Sequence, residues 1–373
     1  MKKAKSLLIG LVSILFPLTS CGGNTSSLNT GANTTVSNVL SGESSSATSD
    51  STYENFRDNE NTQGLEYVLL EDDTYAVGGD NAKELSEIII PSQFQGKKVT
   101  KIINRGFYSF DHLKKIIIPN SVTTIGEEAF YGCISFISIV IPDSVTTIGN
   151  SAFYYCTSLT SVTIRNSVTT IGDAAFYCCI SLTSIVIPDS VTMIDNSAFC
   201  DCTSLTSVTI GNSVTTIRDY AFLRCTSLTS IVIPDSVTSI GNSAFRDCTS
   251  LTSFVIPDSV TTIGSHAFYY CAFLTSVTIG NSVTTISNYA FFECTSLTSI
   301  VISDSVTTIG DDVFFHCPSL ASVFYKGTPE QGKNLFESSS FNESATVFYY
   351  SETQPTDTTY EYWHYVDGEP TPW

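Results

Sequence analysis

A repeat solenoid is the fold class this sequence predicts: a stack of about ten β-rich rungs of 23 residues, with a cap at each end. Three observations carry the prediction. Phenylalanine returns every 23 residues, at Phe107, Phe130, Phe153, Phe176, Phe199, Phe222, Phe245, Phe268, Phe291 and Phe314, with no insertion. A second apolar column keeps the same step, at Leu113, Phe136, Leu159, Leu182, Leu205, Leu228, Leu251, Leu274, Leu297 and Leu320. Between the columns, β-branched residues two apart, such as Val162 and Ile164 around Thr163, have the period of a strand. One such unit cannot bury its own inner face, so the copies must stack.

Residues 153–175 show the design of one rung. Phe153, Cys156, Leu159, Val162, Ile164, Val168 and Ile171 are its predicted inward residues. Residues 144–148 read as a second extended piece, with Val145 and Ile148 inward. Gly149, Asn150 and Ser151 then read as a turn in which glycine relaxes the backbone. At a strand spacing of roughly 4.8 Å, ten rungs give a continuous core roughly 50 Å long.

The running pattern C-x-x-L-x-x-V-x-I-P-x-S-V-x-x-I-G-x-x-A-F resembles the leucine-rich repeats of the BspA-like family. Residues 202–217 and the Ile141-Pro142 and Ile187-Pro188 pairs carry the motif. The resemblance spans roughly residues 90–325 and implies a leucine-rich-repeat-like solenoid on a bacterial surface. It further implies an adhesin-like role toward host matrix or neighbouring-cell proteins. The pattern departs from the commoner leucine-rich repeat: Asn or Asp falls one place early, as at Asn166 and Asp189.

Outside the rungs the composition changes. Residues 1–20 combine Lys2, Lys3 and Lys5 with a short apolar run, which predicts an export signal too short to span a membrane. Leu18-Thr19-Ser20-Cys21 resembles a bacterial lipoprotein box, so Cys21 is the expected lipidation site and the membrane anchor. Residues 21–62, rich in Ser, Thr, Asn and Gly, read as a tether whose hydroxyls also offer glycan attachment. Residues 63–106 and 326–373 are the expected N- and C-terminal caps around a ten-rung solenoid at 107–325. The second cap is aromatic, with Tyr360, Tyr362, Trp363, Tyr365 and Trp373 predicted to pack over the last rung.

Little in the chain points to chemistry. Nine of its 12 cysteines, Cys133 through Cys317, form a column three residues after the repeat phenylalanine and read as small buried hydrophobes. Cys178 and Cys200 lie outside that column. Neither the cysteines nor His112, His266, His316 and His364 have the spacing of a metal site or a catalytic pair, so no metal, cofactor or enzymatic activity is expected. The chain holds 17 basic and 36 acidic residues, a net charge of −19. Nucleic-acid binding needs the opposite sign.

The outward side of the strand is the candidate binding face. It presents Ser161 and Thr163, Ser184 and Val186, Ser207 and Thr209, Ser230 and Val232, Ser253 and Val255, and Ser276 and Thr278. A broad, uncharged, regular face suits docking to a protein by area and shape. Two unit types alternate along it, one ending Val-Ile-Pro-Asp and the other Thr-Ile-x-Asn; the alternation breaks where Val232 and Val255 adjoin. The competing expectation is a cell-envelope spacer with no ligand. With no inserted loop between Phe107 and Phe314, function is expected on this face or at the two ends.

Overall fold

Each regular rung folds into two short strands linked by two turns. The first strand spans four residues, as at Ser161–Ile164, and the second spans two, as at Thr170–Ile171. Alternation places Val162 and Ile164 in the core and Ser161 and Thr163 in water. Both strands pair in parallel with the same strand one rung away: Ser161 lies opposite Ser138, and Thr170 opposite Thr147. The computed structural model describes residues 62–337 and 345–373, all within one compact unit. Val145 and Ile148 are fully buried, as the pattern requires.

The phenylalanines form one continuous ladder. All ten are inaccessible to solvent, and successive rings stack with centroids 5.1–5.7 Å apart, as between Phe153 and Phe176 and between Phe291 and Phe314. Beside them runs a ladder of thiols. Cys156 Sγ donates to the Phe130 carbonyl at 3.1 Å, and the other eight column cysteines repeat this contact. The same Phe130 carbonyl already accepts the Cys133 N–H at 3.3 Å. A thiol therefore occupies the second lone pair of a carbonyl that water cannot reach. Burial pushes the Cys156 and Cys225 thiols well above their ordinary range.

The turns work differently from the expectation. Left-handed backbone falls on Ser151 (φ 53°) and Tyr155 (φ 63°), not on Gly149. Gly149 is needed because a Cβ there would lie 2.7 Å from the Glu127 backbone nitrogen, so glycine permits close approach between rungs. Asp195 occupies the equivalent position two rungs on, and the short-strand sheet is interrupted between Ile171 and Met193. The long-strand sheet is interrupted between Ile117 and Ser138, between Ile164 and Ser184, and at residues 230–233, which form no strand pair.

The stack runs past both expected ends, to about 12 turns. Glu87–Ile89 pairs in parallel with Lys115–Ile117, so a further rung precedes the first repeat phenylalanine. Thr346–Tyr350 pairs in parallel with Ser322–Tyr325 after the helix Pro329–Glu337 loops out between them. Glu361–Val366 then adds in parallel, and Glu369–Pro372 closes the sheet antiparallel. Trp363 is fully buried here and donates its Nε1–H to the Tyr325 carbonyl at 2.9 Å.

Candidate binding face

All twelve residues predicted to face outward are exposed, and the stacked rungs align them as two adjacent columns, by strand pairing where the sheet is continuous. Val186, Val232 and Val255 are 57%, 81% and 63% exposed, so most of each apolar side chain is open to solvent. Val232 lies in the segment that forms no strand pair. Beside these columns, Thr160, Thr206 and Thr275 each donate a hydroxyl to the carbonyl one rung before, at 2.9–3.1 Å. Their side chains are thereby fixed as part of a regular surface.

At the C-terminal end the face closes. The column of Thr163 and Val186 continues into Val301, Phe324 and Phe348. Phe324 packs against Phe348 and Trp363 with centroids 5.4 Å away, and is itself buried. The aromatic residues thus complete the last turns. Nearby, a hollow of about 350 Å³ is lined by Asp304, Thr308, Tyr325, Gln331 and Leu335.

Sequence reasoning missed two features of this surface. The first is a row of exposed carboxylates where the strand ends, at Asp143, Asp189, Asp235, Asp258 and Asp304. The two alternating unit types contain its signal. The second is a ladder on the turn edge, one residue after the repeat phenylalanine. Tyr108, Tyr131, Tyr154 and Tyr177 stack there with centroids 4.6–4.8 Å apart. It gives way to a polar cluster, in which Arg224 Nη2 binds Asp201 Oδ2 at 2.8 Å and Arg246 lies over the Tyr269 ring at 4.7 Å. Asp201 is nearly buried, and Tyr177, whose hydroxyl faces it, is pushed up by burial first and by this acidic neighbourhood second.

Other candidates resolve simply. His266 is partly buried against Tyr289, and burial lowers its pKa. Among the described residues no cluster of acids, histidines and cysteines could hold a metal ion, and no helix is long and apolar enough to cross a membrane. Cys21 lies outside the described residues.

Parallel 23-residue rungs, an inner ladder of apolar columns and a uniform strand face together define a leucine-rich-repeat solenoid. The chain belongs to the family described as the BspA type leucine rich repeat region, whose six-copy model matches residues 100–229 and 215–344. This is a family of repeat proteins of bacterial cell surfaces. The similar solved structures include two bacterial repeat proteins. A leucine rich cell surface protein from Faecalibacterium prausnitzii is 27% identical over 74% of this chain and 96% of its own, with a TM-score of 0.43. A leucine-rich repeat protein from Bacteroides ovatus is 25% identical over 77% of this chain and 98% of its own, with a TM-score of 0.45. No curated protein matches the chain.

Proposed function

We propose that this is a cell-surface protein, anchored through a lipid on Cys21, that binds other proteins through the outward strand face in an adhesin-like role. The observation that supports this most is the face itself. Residues 138–322 place serine, threonine and valine on its outward columns and no charged side chain among them, with Val232 and Val255 exposed on successive rungs. Roughly 25 outward residues in three columns match the 20–30 per partner of a stable interface. Membership of a family of bacterial surface proteins supports the location, and residues 1–21 support export and lipid attachment. The partners that fit are host matrix proteins or proteins of a neighbouring cell, with glycans on them as a further contact.

The test immobilises the exported chain and measures binding to purified matrix proteins and to whole cells. Saturable binding that is abolished by Val232→Glu with Val255→Glu is the expected result. Binding that survives both substitutions moves the site elsewhere, and no binding to any partner leaves a spacer role. Labelled fatty acid incorporated by the wild type but not by Cys21→Ser tests the anchor.

A further inference from the structure

Apolar exposure and negative charge travel together along the outer face. Val140, Val186, Val232, Val255 and Val301 point outward in rungs whose strand is followed by Asp143, Asp189, Asp235, Asp258 and Asp304. Thr163, Thr209 and Thr278 point outward in rungs followed by Asn166, Asn212 and Asn281. No rung from residue 139 to residue 302 mixes the two sets. The five carboxylates are exposed, and none of them belongs to an ion pair among the described residues. The opposite turn edge differs: there Glu128, Asp195, Asp201 and Asp247 are each paired with an arginine, while Glu127, Asp173, Asp219, Asp311 and Asp312 belong to no ion pair among the described residues. Among the described residues two cations flank the aspartate row, Arg165 and, at its C-terminal end, Lys326, whose Nζ donates to Asn281 Oδ1 at 2.9 Å.

We propose that the outer face docks a cationic protein surface, one whose uncharged centre sits on the valines while its lysines or arginines meet the aspartate row. This rests on reading the outer face as the protein-binding face, and it adds the chemistry of the partner. An uncharged core with a charged border is the ordinary anatomy of a protein interface, and complementary borders speed encounter and exclude like-charged competitors. The row supplies the negative half of that border. Its density is highest where two valine units adjoin, with Val232 and Val255 beside Asp235 and Asp258 on successive rungs. That is also where valine exposure is greatest. The contact is centred on these four residues. Nucleic acids and acidic polysaccharides carry the sign this border repels.

The experiment uses the exported chain and a panel of purified matrix and cell-surface proteins of graded isoelectric point, each in native and lysine-acetylated form. Acetylation removes the partner's charge without touching this chain. The rim variant carries Asp143→Asn, Asp189→Asn, Asp235→Asn, Asp258→Asn and Asp304→Asn. Asparagine keeps the Oδ1 acceptor that Asp189 and Asp258 offer to the Asn212 and Asn281 N–H groups at 2.7 Å. The control variant removes the same number of charges from the other turns, with Glu127→Gln, Asp173→Asn, Asp219→Asn, Asp311→Asn and Asp312→Asn. We expect the binders to be basic and to lose binding when acetylated. The rim variant should weaken binding by about tenfold or more and flatten its salt dependence, with the control close to wild type. Equal weakening by both variants, or binders that are acidic or indifferent to salt, overturns the inference while leaving the outer-face reading intact. No binder in the panel overturns both.

Discussion

Two borders of this solenoid are acidic, and only one of them pairs any of its acids with arginine. On the turn edge beside the phenylalanine ladder, Arg105 pairs with Glu128, Arg218 with Asp195 and Arg224 with Asp201, each across one rung. Along the end of the long strand, Asp143, Asp189, Asp235, Asp258 and Asp304 belong to no ion pair among the described residues. The difference follows burial. Asp201 is 7% exposed and touches the Cys200 thiol at 3.6 Å, so its charge must be met inside the protein. Asp235 stands in water and needs nothing. Charge neutralised within the chain holds one rung to the next, whereas charge left open is available to a partner.

The largest break in this contrast comes from Arg224→Ala. It leaves Asp201 buried without its cation and is expected to cost about 3 kcal/mol, read from the shift of the urea midpoint. An unchanged midpoint would mean that Asp201 is hydrated after all. Arg246→Gln removes a looser pair with Asp247, at 3.4 Å, and the contact with the Tyr269 ring. A loss of about 1 kcal/mol is expected, and a loss as large as that of Arg224→Ala would contradict the ranking by burial.

Asp247 sharpens the same comparison through pH. Burial, opposed by Arg246, raises its pKa above the usual carboxylate value. The folded state therefore holds this proton more tightly than the unfolded chain. The stability it contributes is present below the unfolded carboxylate pKa and is lost as pH rises through the folded one. Asp247→Asn should remove that part of the decline when midpoints are compared from about pH 3 to 7. A steeper decline in the variant gives the wrong sign. The smallest effect belongs to the rim: each Asp→Asn there should change stability by less than about 0.5 kcal/mol, in keeping with a role outside the fold.

Much of the architecture is legible in residue spacing. The 23-residue phenylalanine step has no insertion, and each of those rings is buried. Strand alternation correctly exposes all twelve face residues, because a side-chain period of two leaves only one register once Val162 and Ile164 are inside. The outermost turns were illegible because they lack the marker. Ser322 and Thr346 are 24 residues apart and enclose a helix where a turn and a short strand would stand. The use of Gly149 was also hidden, since close approach to Glu127 is a contact between rungs and leaves no trace within one. Arg218 and Arg224 break the repeat pattern, yet their partners emerge only when charges are compared one period apart, at Asp195 and Asp201.

The thiol ladder has a consequence for how the protein must be made. Each column cysteine is buried, its proton directed at a carbonyl, and burial holds thiols such as Cys225 far from the reactive thiolate form. Once the stack is complete, these sulfurs are shielded from oxidants and from exchange with one another. During synthesis and export they have no such shelter. Nine interchangeable thiols on an unfolded chain can pair in many combinations, and those that join cysteines far apart in the column are incompatible with stacked rungs. Maturation is therefore a race between stacking and oxidation, and a rung ordered early is protected before the oxidant arrives.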